Sequence, residues 1–281
     1  MPTLALTGAT GYLGSVLSSE LTAKGHEVIA LTRCRPEVDV AEWRRFDLGK
    51  PLDANAFDGV DALIHAAWVL SGKDTSALWR QNVVGSRRLI ETAVASGVGT
   101  VVFVSSMSAY FGTRQAYGLM KLAVERTALD LGGIVVRPGL VYGLSPGGMA
   151  GTLKRISRLP LWPRFPSAQL FLAHEADVAA AMARTVEFAD ELSGHVLGFA
   201  NPTPLDLSSI LVGLSDHGRR RPALPVPARL VMAVLRGLES MGVQLPFRSD
   251  SLLGLVESAK VLPGQELLAE RGIEFRPLVA P

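Results

Sequence analysis

Apolar positions along this chain fall into short runs separated by amphipathic stretches, and the two kinds alternate in a regular order. Leu4-Ala5-Leu6 is the first run, and residues 12–24 follow it with helical spacing that stops at Lys24-Gly25, Gly25 suiting the place just past a helix end. Residues 27–31 read as a second strand, 43–48 as a third ending in Asp47-Leu48, and 61–67 as a fourth. The fourth is apolar on both faces, as a central parallel strand is. Residues 78–96 are helical, with Leu78, Val83, Leu89, Ile90, Ala93 and Val94 among the apolar positions and Gly97 as the stop. Residues 101–104 make a fifth strand running into Ser105-Ser106, residues 117–131 a helix closed by Gly132-Gly133, and residues 134–138 a sixth strand. This alternation predicts an α/β fold built on a parallel, doubly wound sheet.

Past Tyr142-Gly143 the pattern changes. Residues 144–170 contain Pro146, Gly147, Gly148, Pro160, Pro163 and Pro166, which leaves room for a helix around 149–159 flanked by irregular chain. Residues 174–188 return to helix and 196–199 to strand, rejoining the sheet. From Asn201 on, the segments read as helices broken by prolines. Residues 228–241 carry a stripe of Leu230, Val231, Val234, Leu235, Leu238 and Met241. Arg229, Arg236 and Glu239 are too few for a basic amphipathic helix, so the stripe reads as a core face rather than a membrane anchor. Two regions are expected: residues 1–144, rejoined by 172–200, and a smaller, mainly helical one of 145–171 and 201–281.

Between the first strand and its helix stands Thr7-Gly8-Ala9-Thr10-Gly11-Tyr12-Leu13-Gly14. Strand, glycine turn and helix are the setting a nucleotide-phosphate site requires. Gly8 permits the tight turn, Gly11 lacks the Cβ that would keep a pyrophosphate off the backbone, and Gly14 lets helix and strand approach. The helix start offers N–H groups and a positive dipole end to the anion. The second strand ends at Thr32-Arg33, nineteen residues past Gly14, where an NAD enzyme places an acid on the ribose 2′-hydroxyl. Arg33, with Arg35 behind it, would instead pair with a 2′-phosphate, which favours NADP over NAD. The alternative is a solvated arginine at a strand end.

Tyr117 and Lys121 stand at i and i+4, so they leave one helix face a turn apart. An ammonium beside a phenol stabilises the phenolate and should lower the tyrosine from its ordinary pKa of about 10 towards the range of a general acid/base. The strand ending in Ser105-Ser106 would deliver hydroxyls to the same carboxyl edge of the sheet, where open α/β sheets bind ligands.

Composition narrows the rest. The chain has 281 residues, enough for a sizeable core, and 28 basic residues against 26 acidic give a net charge of +2. That balance argues against nucleic acid or an anionic membrane as the main partner. No run reaches the length of a membrane span or forms a secretion signal, and the lone cysteine, Cys34, suits a reducing cytoplasm.

Taken together, these stretches resemble the extended short-chain dehydrogenase/reductases of the NAD-dependent epimerase/dehydratase type. The matches are Thr7–Gly14, Asp47-Leu48, His65-Ala66-Ala67, residues 82–85, Ser105-Ser106, Tyr117 with Lys121, Glu125, Arg137-Pro138 with Val141-Tyr142-Gly143, and His174 with Asp177-Val178-Ala179, in the family's order. The resemblance implies a Rossmann domain over residues 1–144 and a substrate-binding region in the remainder. Cofactor contacts would come from Gly8, Thr10, Gly11, Tyr12, Leu13, Gly14, Arg33, Asp47, Leu48, Ala66, Ala67, Tyr117, Lys121 and Pro138, with Asp47 on the adenine amino group. Ser106 would hydrogen-bond the substrate, Tyr117 pass the proton, and Lys121 tune it and hold the nicotinamide ribose; no metal is called for. His65 reads instead as a satisfied core histidine, Asn82 as a helix-surface amide and Glu125 as part of a solvated helix face. Sugar dehydratases carry a threonine and an acid pair where this chain has Ser106-Met107-Ser108, which argues against dehydration. Three readings remain: an NAD(P)-dependent reductase of a small carbonyl substrate, a nucleotide-sugar epimerase, or a cofactor-bound scaffold or sensor. For the epimerase, Arg219-Arg220-Arg221, Arg248 or Arg276 would hold a diphosphate. Relatives also pair as homodimers through helices at about 75–96 and 114–131.

Overall fold

The alternation folds as the pattern predicts, around one parallel sheet. The structure is a computed structural model that describes residues 1–53, 55–70, 74–241, 243 and 247–279. Strands β1 (Thr3–Thr7), β2 (Glu27–Thr32), β3 (Glu42–Arg45), β4 (Ala62–His65), β5 (Thr100–Val104), β6 (Ile134–Pro138) and, after the smaller elements given below, β11 (Val196–Phe199) form it. The order across the sheet is β3-β2-β1-β4-β5-β6-β11 and every pairing is parallel. The order in which strands are added reverses at β1, so the switch point lies between β1 and β4.

Alternate residues of each strand feed opposite cores, as the period of two requires. Leu4, Leu6, Ile64, Val102 and Val136 face one side, with Leu17 and Leu21 of α1 (Tyr12–Ala23) and Val178 and Met182 of α6 (Glu175–Glu187). Ala5, Leu63, Phe103 and Val135 face the other, with Leu89 and Ile90 of α3 (Gly85–Ala95) and Met120 and Val124 of α4 (Ala116–Asp130). The helix expected over 78–96 is α2 (Thr75–Trp79), a π-helical turn (Arg80–Val84) and α3 in succession. The third strand is shorter than expected: it stops at Arg45, and Asp47-Leu48 enter a turn in which Lys50 N–H bonds the Asp47 carbonyl.

A third core lies beyond Tyr142. There β7 (Leu140–Tyr142) pairs with β10 (Leu172–His174), β8 (Trp162–Arg164) with β13 (Ala223–Pro225), and β9 (Gln169–Leu170) with β12 (Leu205–Asp206). Around Trp162, Leu172 and Tyr142 gather Leu153 of α5 (Gly148–Ser157), Ile210 and Leu211 of α8 (Leu207–Leu214), and Leu252 and Leu255 of α10 (Ser249–Val256). His174 ends a strand and caps α6, where sequence had started the helix. The short helices α7 (Ala189–Leu192) and α11 (Gln265–Glu270) flank β11. The stripe on α9 (Ala228–Ser240) departs from expectation: the helix has no fully buried residue, and Leu230, Val234 and the adjoining Met241 are exposed. Ala228, Val231, Met232 and Leu235 lean on the third core, because a helix lying at the edge of a cluster covers one flank of a wide stripe.

Candidate active site at the carboxyl edge of the sheet

The glycine turn is shaped by backbone proximity. Gly8 sits at φ +77°, and a Cβ there would stand 2.8 Å from Ala67 N; a Cβ at Gly14 would overlap the Gly8 carbonyl. The Thr7 hydroxyl accepts from Ala66 N–H and Ala67 N–H at 3.1 and 3.0 Å and meets His65 Nδ1 at 2.7 Å, so β1 and β4 are laced together at the switch point. Gly11 begins α1 without a side-chain cap, which leaves first-turn N–H groups beside Thr10, Tyr12 and Leu13 facing outward. The Tyr12 hydroxyl donates to Glu175, whose other oxygen accepts Leu144 N–H at 3.0 Å. Burial and that carboxylate push the Tyr12 phenol far above its ordinary range. The glycine turn is thereby tied to the chain leaving β7.

Other expected cofactor contacts line the same edge. Arg33 is exposed just past β2 and makes no ion pair among the described residues, while Thr32, bonded to Cys34 O and Trp43 Nε1, shapes the bend it stands on. Asp47 is half-buried and pairs with Lys50 at 2.8 Å, and Leu48 is buried in the core. Pro138 ends β6, and its carbonyl accepts Met107 N–H at 3.0 Å, beside Ser106.

Ser106, Tyr117 and Lys121 converge between β5 and α4. Of the two serines, Ser105 turns away to donate to Glu125, whereas Ser106, which accepts Ser108 N–H at 3.1 Å, lies beside the Tyr117 hydroxyl. Lys121 is 2% exposed, donates to Val104 O at 2.7 Å, and lies 3.8 Å from the centre of the Trp68 ring. Phe103 and Tyr117 complete the surround, their ring centres 4.8 and 5.8 Å from the same nitrogen. Trp68 also meets Tyr117 edge-on, with centroids 5.9 Å apart.

The electrostatics correct the expected tuning. Burial pushes the Tyr117 phenol up to about 12, and the Ser106 hydroxyl only partly opposes it. Burial brings the Lys121 ammonium down to about 7, against the pull of Glu125. Desolvation, which penalises both charged forms, is the largest influence on both the amine and the phenol.

Two side chains read as surface groups prove to be buried. Glu125 is 3% exposed and accepts two hydrogen bonds from Arg137, at 2.8 and 2.6 Å, besides the one from Ser105. Asn82 is fully buried in the π-helical turn and clamps both the N–H and the carbonyl of Val69, at 2.8 and 2.9 Å, fixing the chain that carries Trp68. Asn82 and Glu125 lie on two different helices, and spacing alone does not show what either helix packs on. His65 is a satisfied core histidine between Thr7 and Ser86, and burial drops its pKa to about 3. Sequence reasoning also passed over Asp250 of α10, which accepts from Ala116 N–H at 2.8 Å and Tyr117 N–H at 3.4 Å and so caps α4 from far along the chain. Trp68 had a signal: a large aromatic directly after Ala66-Ala67.

The arginines suggested for a diphosphate are dispersed. Arg276 pairs with Asp177 at 2.8 Å. Arg219 and Arg221 line a shallow cleft of about 160 Å³ with Arg158 and His217, and its lining includes none of Ser106, Tyr117 and Lys121.

Against known proteins, the model of the NAD dependent epimerase/dehydratase family matches residues 4–159. An uncharacterized protein of Mycobacterium tuberculosis (strain ATCC 25618 / H37Rv) is 26% identical over 237 residues, 82% of this chain and 25% of that protein. The ceramide reductase of Caulobacter vibrioides is 31% identical over 192 residues, 64% of this chain and 59% of the reductase. The chain thus spans a quarter of the first relative's length and just over half of the second's. The solved structure of MoeE5 in complex with UDP-glucose and NAD superposes with a TM-score of 0.73 at 21% identity, over 98% of this chain and 94% of that one, a likeness of fold.

Proposed function

Because this chain belongs to the NAD dependent epimerase/dehydratase family, we propose that it is an NAD(P)-dependent oxidoreductase that reduces a carbonyl of a small-molecule substrate, with Tyr117 as the proton donor. The observation that carries this reading is the convergence of the Tyr117 phenol, the Ser106 hydroxyl and the Lys121 amine on the sheet edge that holds the glycine turn. The turn suits a dinucleotide: Gly8 and Gly14 let strand, turn and helix close on one another, and Gly11, Tyr12 and Leu13 present uncapped backbone to a pyrophosphate. Gly8, Thr10, Gly14, Asp47, Leu48, Ala66, Ala67 and Pro138 would line the remainder. A bound nicotinamide supplies the hydride. Ser106 would donate a hydrogen bond to the substrate carbonyl oxygen while Tyr117 gives that oxygen its proton, so the carbonyl becomes an alcohol. Lys121, seated on Trp68 and Val104 O, would steady the phenolate left behind.

Arg33 supports NADP as the partner: it is exposed at the end of β2 with its guanidinium uncommitted to any carboxylate among the described residues. A homodimer through α3 and α4 is part of the same reading, supported by the exposed Val94 on one and Leu119 on the other. The epimerase reading has its own support in the nucleotide sugar named with MoeE5. It needs the tyrosine as a base in one half-reaction and as an acid in the other.

Titration with NADPH and NADH tests the proposal. NADPH should bind more tightly, and Arg33→Ala should weaken NADPH by about 10–100-fold, the worth of a charge-assisted contact, while leaving NADH unchanged. Tighter NADH binding, indifferent to Arg33→Ala, would refute the arginine argument. Denaturing the purified protein separates the chemistries: an empty site fits the reductase, and a stoichiometric oxidised dinucleotide fits the epimerase.

A further inference from the structure

Trp68 directly follows Ala66-Ala67, whose N–H groups bond the Thr7 hydroxyl at the switch point. The residue after it is fixed as well: the Asn82 amide accepts from Val69 N–H at 2.8 Å and donates to the Val69 carbonyl at 2.9 Å. The indole between these two anchors is half-buried and packs on the core that holds Phe103 and Met120. One edge meets the Tyr117 ring at 5.9 Å. So held, it lays its face over the Lys121 nitrogen, 3.8 Å from the ring centre.

Lys121 has little else to hold its charge. An ammonium carries three N–H donors, and among the described residues they find one acceptor, the Val104 carbonyl at 2.7 Å. Glu125, a turn further along α4, is committed to Arg137 and to the Ser105 hydroxyl, and no ion pair joins it to Lys121. The other groups facing the nitrogen are the Tyr117 phenol of the same helix, His65 of β4, which burial keeps neutral, and the Phe103 ring of β5 at 4.8 Å. Burial pulls the amine down to about 7 even with Glu125 opposing it. A buried ammonium with one hydrogen bond and no carboxylate of its own tends to shed its proton. The face of an aromatic ring acts against that, because it is the negative end of the ring quadrupole. Indole offers the strongest such face, and excluding water strengthens the attraction.

We propose that Trp68 is a positioning residue for Lys121, its ring face serving in place of a carboxylate to keep the amine charged beside Tyr117. The inference rests on the reading of Lys121 as the residue that holds the nicotinamide ribose and steadies the Tyr117 phenolate, both of which need the charged form. Asn82 belongs to the same arrangement, since its grip on Val69 sets where the indole lies. The chemistry ranks the residues that could stand at this position. Leucine would shield the amine from water but has no negative face. Phenylalanine has one, weaker than that of indole. Tryptophan, phenylalanine and leucine therefore form a series of falling electrostatic support, an order that a purely space-filling role would not follow.

Nuclear magnetic resonance of the full chain, with lysine isotopically labelled at Cε, reads the titration without any enzyme assay. The Lys121 signal is the one missing from Lys121→Met. Trp68→Leu should move its midpoint down by about one pH unit, and Trp68→Phe by less. Difluorotryptophan keeps the shape of indole and weakens its negative face, so it tests the ring without opening a cavity. It should lower the midpoint in wild type and leave it in place in Trp68→Leu, which shows that the other tryptophans play no part. NADPH affinity should fall as pH rises through the midpoint, because a neutral amine holds the ribose hydroxyls less firmly. In Trp68→Leu that fall should start at lower pH by the same amount. Thermal melts confirm that each variant is folded. A midpoint that stays or rises in Trp68→Leu overturns the proposal, as does one indifferent to fluorination, or an NADPH profile that ignores Trp68. The underlying reading fails differently: wild type would bind neither NADPH nor NADH at any pH, and the proposal would fall with it. An unmoved midpoint in a chain that still binds NADPH refutes the role of Trp68 alone.

Discussion

Glu125 with Arg137, and Arg158 with Asp216, are ion pairs from the two halves of this molecule, and they are built differently. The first lies under the carboxyl edge of the sheet, its side chains 4 and 17% exposed, with two guanidinium bonds and the Ser105 hydroxyl on one carboxylate. The second joins helices of the C-terminal region at the surface, its partners 62 and 51% exposed, through one contact of 3.3 Å. In the sheet half, the polar side chains near the carboxyl edge are enclosed with defined partners, Thr7 with His65, His65 with Ser86 and Asn82 with Val69, while Ser18 Oγ, Thr22 Oγ1 and His26 Nδ1 are buried without one among the described residues. In the C-terminal region, arginines stand in solvent and α9 shows half its apolar stripe. Buried polar groups must be satisfied or they destabilise the fold, so the first region has little freedom left. The second keeps its freedom, and its surface is available for partners and substrates.

The most severe way to break this contrast is at Tyr117. Tyr117→Phe keeps the packing against Trp68 and removes only the acidic proton. Turnover should fall by about 10²–10⁴ while the melting temperature moves little. Unchanged kcat would remove Tyr117 from the reaction and leave the enclosed edge as structure alone.

Next in size is the pair of ion pairs itself. Glu125→Gln strands a largely buried guanidinium and should cost about 3 kcal/mol in denaturant unfolding, whereas Arg158→Ala should cost less than about 0.5 kcal/mol. Equal losses would erase the distinction between the regions. Glu125→Gln also has a pH signature. Glu125 pulls the Lys121 pKa upward, and the other titratable groups facing that ammonium are Tyr117 beside it and neutral His65 across from it. Removing the negative charge lowers the Lys121 pKa below about 7. If turnover needs the charged amine, activity is lost as pH rises through that value, so the alkaline limb of the profile should move to lower pH. Stability runs the other way. An unfolded lysine holds its proton to about 10.5, so between about 7 and 10.5 the unfolded chain binds more protons and wild-type stability climbs with pH. Lys121→Met should flatten that climb.

The two halves were also unequally legible in sequence. In the sheet half, strand runs apolar on both faces and a three-glycine turn specify a doubly wound sheet almost residue by residue, because parallel strands have few ways to be buried. Helix spacing likewise placed Tyr117 and Lys121 on one face. It could not show that Asn82 and Glu125 point inward, since a helix between a sheet and its neighbours buries polar positions whenever partners await them across the chain. Nor could it show that desolvation, rather than the amine, sets the Tyr117 pKa. In the C-terminal region, prolines announced breaks but not partners. The inward flank of α9 packs against the cluster that holds Trp162 and Ile210, and no local pattern records that.

Asp250 is the smallest and sharpest probe, because it crosses between the regions. It belongs to α10, yet its carboxylate takes the N–H groups of Ala116 and Tyr117, and its carbonyl accepts from the Gln115 side chain at 3.1 Å. An acidic cap at a helix start stabilises it through hydrogen bonds to orphan donors and through the helix dipole. Asp250→Ala should therefore lower unfolding free energy by about 1 kcal/mol, and Asp250→Asn, which still accepts a hydrogen bond, should recover most of it. Leu252 and Leu255 keep α10 in the third core in either variant, so the helix stays docked and only the polar tie is lost. If the tie also orients Tyr117, Asp250→Ala will lower kcat with little change in KM, and Asp250→Asn will restore it. A loss of stability with kcat intact would mean that the C-terminal region braces the catalytic helix without aiming it.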